Sequence, residues 1–289
     1  MTDFRPSRFQ VLPPVVKNII IINVLMVLLQ FVLGTRGIDL ADYLGLHYFE
    51  SHYFRSWQLL THLFMHGSYN DLNGTFWHIF SNMFALWMFG SVLENVWGPK
   101  RFIIFYLVCG LGAALCHLGV LHFEYSSIEK AFHSYQENPN VANFDLFLKQ
   151  HVPNDNQFAG RLWSFDQQWL QMPEATNGPS DSKLLISEYL YGGPLNKGIF
   201  DEPTVGASGA VFGVLFAFGY LFPNTLLYLY FLVPIKAKWI VAAYALFELY
   251  SGIRNSAGDN IAHFAHLGGM LFAFILLKIW GKTQRNQFY

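Results

Sequence analysis

A serine hydroxyl attacks a carbonyl only when a base removes its proton, and an imidazole titrating near neutrality suits both that task and the return of the proton to a leaving amine. Two apolar stretches of the chain carry these groups: Gly206-Ala207-Ser208-Gly209, and His263-Phe264-Ala265-His266-Leu267-Gly268-Gly269. Gly and Ser commonly pack membrane helices, so the first stretch alone is weak evidence for chemistry. Register links the two. Gly209, Gly213 and Ala217 recur every fourth residue, as do Ala265, Gly269 and Ala273. Such small-residue stripes let two helices approach closely. Ser208 and His266 each lie one residue from a stripe, which predicts that hydroxyl and imidazole come within hydrogen-bond reach. Gly206 is grouped with these packing positions. The helix N-terminus expected just before Ser208 would favour an oxyanion through its unpaired N–H groups and dipole.

Other polar side chains are less specific. His78 and Asn82 stand at i and i+4 on one helical face; they suit donation to an oxyanion, and they equally suit polar glue between helices. His62 and His66 have the same spacing, but no HExxH and no nearby carboxylate accompanies them, so they are read as structural and no metal is expected. No acid has a pattern that would orient His266. Asp259 falls in a connecting loop and Glu248 near the end of an apolar segment, and neither is assigned as a third member.

These residues must be held in a membrane. The sequence is 53% hydrophobic and 13% charged, about half the charge of an average soluble domain. With a net charge of -1 there is no basic excess for phosphates, which gives nucleic-acid binding little support, and no nucleic-acid partner is expected. Six segments are apolar enough to cross roughly 30 Å of hydrocarbon as helices: 15–34, 75–96, 101–123, 205–222, 237–252 and 260–281. The first reads as an uncleaved signal anchor. Arg5, Arg8 and Lys17, Lys100 and Arg101, Lys236 and Lys238, and Lys278, Lys282 and Arg285 fall on one side of this layout, which predicts cytoplasmic termini. Cys109 and Cys116, two helical turns apart and separated by roughly 10 Å, are too distant to bridge.

The expected organisation is a cytoplasmic segment 1–14, helices one to three over 15–123 with an outer loop at 35–74, an outer insertion at 124–204, helices four to six over 205–281, and a cytoplasmic tail at 282–289. A third outer loop covers 253–259. The insertion is acidic and rich in aromatics, and too long for a bare connector. The stretches SSIEKAFHSYQ and NFDLFLKQHV predict short amphipathic helices, and YGGPLNKG predicts a turn, together an ordered cap.

GASG in the fourth segment, AHLGG in the sixth and HIFSN in the second together resemble the rhomboid family of intramembrane serine proteases, in that family's order; WQLLT at 57–61, Glu94 and Gly98 extend the likeness. The resemblance implies an all-α, six-helix membrane bundle of bacterial inner-membrane type. It implies Ser208 as nucleophile, His266 as base, and His78, Asn82 and the Ser208 N–H as oxyanion donors. It further implies transmembrane proteins as substrates, cleaved in a water-filled cavity without a cofactor. Two departures stand out: Ala273 where the family has glycine, and the long 124–204 insertion. One rival is a catalytically inactive relative that escorts membrane clients, whose hallmark would be loss of a dyad residue. Another is a His-relay transporter, for which no inverted repeat or intramembrane carboxylate chain appears.

Overall fold

The computed structural model describes residues 9–153, 157–173, 177–193, 197–229, 233–254 and 262–285. Arg5, Arg8, Asp259 and Asn260 lie outside the described residues, as do residues 194–196 of the expected turn.

Helix α1 (Pro14–Gly34) opens with proline at its first position, where a missing N–H costs nothing. The next two N–H groups, of Val15 and Val16, donate to the Glu94 carboxylate at 2.9 and 2.8 Å. This buried acid satisfies the positive end of the α1 dipole. Two short helices follow, α2 (Ala41–Leu44) and α3 (Gln58–Thr61). Helix α4 (Leu72–Ala85) is capped by Asp71, whose side chain accepts from the Gly74 N–H. It passes through a π-helical turn at Leu86–Gly90 into α5 (Ser91–Trp97). Gly98, at φ 79, breaks the chain in a conformation that favours glycine, and Pro99 begins α6 (Pro99–Glu137).

The 39 residues of α6 span about 58 Å, nearly twice the hydrocarbon thickness. The expected end at Phe123 and the separate helix over SSIEKAFHSYQ are therefore corrected: both belong to one helix. No proline or glycine interrupts residues 120–137, and Ile128, Phe132 and Tyr135 keep helical spacing as the polarity changes. The C-terminal half of α6, α7 (Val141–His151), α8 (Gln157–Gln171) and α9 (Gly178–Tyr191) bury a second core of Phe132, Phe144, Leu148, Leu162, Trp169 and Ile186. The insertion is thus a packed helical cap. It is fastened to the loop before α4 by Ser51 Oγ donating to Asp201 at 2.6 Å, by an ion pair between Lys197 and Asp42, and by an antiparallel bridge between Leu46 and Thr204.

Helix α10 (Ser208–Leu221) is followed by the hairpin β1 (Leu226–Leu229) and β2 (Val233–Lys236), then α11 (Ala237–Arg254) and α12 (His263–Arg285). The hairpin was not foreseen. Pro223-Asn224 ends α10, and the apolar run beyond it reads as well for strand as for membrane helix. Helix α10 starts at Ser208 and not at Val205, because Gly206 adopts φ 134, which no helix accommodates. Gly206 is thus not a helix-packing residue.

Among the described residues, four helices are long and apolar enough to cross a membrane: Pro14–Gly34, Leu72–Trp97, Pro99–Glu137 and His263–Gly281. Helix α10 is apolar but shorter, and α11 carries Lys238, Glu248 and Arg254. Both pack on α12, and the main core joins α1, α4, α6, α10 and α12. The protein is an all-α, multi-pass integral membrane protein, with one small antiparallel strand pair among the described residues.

Candidate active site

The expected stripes meet. A Cβ added to Gly269 would collide with the Gly209 carbonyl group, and one added to Gly213 would lie 2.7 Å from Cys109 Cβ and 3.0 Å from the Gly269 carbonyl oxygen. Ala265 and Ala273 are buried on the same face of α12, and Ala217 on α10. Glycine here is a spacing device, letting the backbones of α10 and α12 touch.

That contact fixes the pair above it. His266 Nε2 lies 2.8 Å from Ser208 Oγ across 58 residues of sequence. The ring of His266 stacks on Phe212, one turn beyond Ser208, with centroids 4.1 Å apart and planes at 5°. Phe212 was not singled out from the sequence. Its signal was available, since position i+4 from a nucleophile shares its helical face.

The approach to Ser208 is built from outside α10. Thr204 pairs with Leu46, and its hydroxyl lies 2.7 Å from His117 Nε2 on α6. Gly206 then donates its N–H to the His62 carbonyl at 3.0 Å. A Cβ on Gly206 would come within 2.9 Å of His78 Nε2 and 3.5 Å of Ser208 Oγ, so His78 borders the serine. Asn82, one turn further along α4, is buried and donates one amide hydrogen to the His78 carbonyl at 2.8 Å. A second amide hydrogen is left for another acceptor. His66 packs its ring against His78 with centroids 5.0 Å apart, while His62 Nδ1 pairs with the Gln58 carbonyl oxygen. Neither Cys109 nor Cys116 is bridged.

Glu248 enters the same site from α11. Its Oε2 lies 2.6 Å from His263 Nδ1 and 3.0 Å from His266 Nδ1, the latter off the alignment of a good hydrogen bond. All three side chains are buried. A lone carboxylate in an apolar helix must face polar partners, which turns Glu248 into the bundle but does not say which residue it meets.

Together these groups bring a hydroxyl, an imidazole bonded to it, a carboxylate behind the imidazole, and nearby donors from α4 to one place. Such a set can carry out nucleophilic acyl transfer. The family model of the Rhomboid domain matches residues 53–128 and 183–283, more than half of the chain and every side chain of this site. No curated protein matches the chain.

Proposed function

We propose, from the premise that this chain belongs to the rhomboid family, that it is an active intramembrane serine endopeptidase using Ser208 and His266. The observation that carries the reading is the 2.8 Å contact between His266 Nε2 and Ser208 Oγ on two helices held together by glycine. An inactive relative has no need to keep both groups in register.

In the proposed reaction His266 Nε2 removes the Ser208 proton as Oγ bonds to the scissile carbonyl carbon. The oxyanion is received by the Ser208 N–H, His78 and the unspent amide hydrogen of Asn82. Collapse breaks the peptide C–N bond, and His266 gives its proton to the departing amine. Water then cleaves the acyl ester, with His266 again as base. The substrate must offer an extended carbonyl, so transmembrane segments with small or helix-breaking residues near the cut are the expected class. Gly206 serves this reading by leaving room beside His78 that any side chain would fill.

The test is labelling of purified protein with a fluorophosphonate, which forms an adduct only on an activated serine. The parent is expected to acquire one adduct at Ser208, and Ser208→Ala and His266→Ala none. A parent protein that is folded and unlabelled would overturn the proposal.

A further inference from the structure

We infer that Glu248 is a positioning residue that sets the tautomer and orientation of His266 behind the Ser208–His266 pair, an inference that rests on the reading of this site as a serine protease. Ser208 can give its hydroxyl proton to His266 Nε2 only if that nitrogen is bare, which requires the ring proton on Nδ1. Glu248 Oε2 stands 3.0 Å from Nδ1, so a proton there faces a carboxylate, whereas a bare Nδ1 would turn a lone pair toward it. The carboxylate therefore selects the tautomer that leaves Nε2 free to act as base. It also stabilises the imidazolium that forms when the serine proton arrives. The proton stays on Nδ1 throughout, and Glu248 only accepts a hydrogen bond.

Geometry argues that this placement is held. The same oxygen accepts from His263 Nδ1 at 2.6 Å, and an oxygen with two lone pairs can serve both rings. His263 precedes His266 by one turn of α12, so both rings reach the same oxygen. Phe212 fixes the plane of the His266 ring from the opposite element. On α11 only Ala237, Val241 and Glu248 are buried, while Phe247, Leu249 and Tyr250 are exposed. Glu248 is thus the one carboxylate that α11 turns inward, and a buried acid is retained in an apolar helix only where a polar partner offsets its cost. The off-line 3.0 Å contact fits a resting state whose hydrogen bond tightens when His266 becomes charged.

The experiment compares parent, Glu248→Gln and Glu248→Asp in two readouts: the rate of fluorophosphonate labelling, and kcat and KM for a transmembrane substrate in liposomes. Glutamine keeps the size and removes the charge, and its labelling rate and kcat are expected to fall between about tenfold and a thousandfold with KM unchanged. Aspartate keeps the charge but withdraws the oxygen by about 1.5 Å, and is expected to retain more activity than glutamine. A merely structural Glu248 would instead give all variants the parent's rate per folded molecule, and that result would overturn the inference. If Glu248→Gln is not recovered folded, Glu248→Asp carries the test: a reduced kcat at unchanged KM supports the role, and a parental kcat overturns it. If the parent itself is not labelled, the protease reading fails first, which is a different outcome from a labelled parent matched by Glu248→Gln.

Discussion

Replacing Gly269 by alanine is expected to disable the site without touching either reacting side chain. The added methyl would lie 2.7 Å from the Gly209 carbonyl carbon and 3.3 Å from its Cα, against a normal carbon–carbon contact of about 3.5–4.0 Å. These are backbone atoms of a packed helix, so no rotamer change relieves the clash, and α10 and α12 must part by roughly 1 Å. Ser208 adjoins Gly209, and His266 lies within a turn of Gly269. The 2.8 Å contact between them then opens beyond hydrogen-bond range. A misplacement of about 1 Å costs on the order of a hundredfold in rate, or about 2.7 kcal/mol in barrier. Overpacking also lowers stability by about 1–3 kcal/mol. The assay is the labelling rate of protein shown to be folded by gel filtration, read beside its thermal unfolding midpoint. Gly119→Ala on α6 is the control, because an added Cβ there meets nothing within 4 Å. A folded Gly269→Ala protein labelled within about threefold of the parent would refute the claim that helix contact sets the dyad.

Three further outcomes follow from the same structure. His78→Ala should lower kcat by on the order of a hundredfold to a thousandfold in a cleavage assay, as loss of one oxyanion donor does, with little change in thermal stability. Glu94→Gln removes the charge that receives the Val15 and Val16 N–H groups, and should cost about 1–2 kcal/mol by thermal unfolding while the labelling rate per folded molecule stays put. In the cap, burial and then the nearby Asp145 raise the Asp166 carboxyl above its ordinary 3.8. A raised acid binds more protons folded than unfolded, so stability falls as pH rises from about that value through the higher folded one. Asp166→Asn should therefore make the cap more stable than the parent at neutral pH, and flatten that part of the pH profile, as read by hydrogen exchange over residues 141–171.

Much of the site was legible because its information is local. Ser208, His266 and their stripes announce themselves at fixed four-residue spacing, and spacing on a helix is geometry. Polarity divides the long α6 near Phe123, because it changes there while the helical periodicity does not. Gly206 is hidden for another reason: a glycine in an apolar run looks like packing until its φ is known. The π turn in residues 86–90 leaves no composition signature, since its residues would suit an α-helix equally well. Glu248 was out of reach of any spacing rule, for it lies on a neighbouring helix and joins His266 only through tertiary packing. A buried carboxylate with no base at i±3 or i±4 poses a question that only the neighbouring helix answers.

Cleavage of a membrane-spanning substrate is the decisive measurement. Purified protein is reconstituted in liposomes with a single-span substrate carrying a tag at each end, and the fragments are identified by mass spectrometry. The parent is expected to yield two fragments cut within or beside the span, and Ser208→Ala and His266→Ala neither. Equal cleavage by Ser208→Ala and the parent would show that Ser208 is not the nucleophile.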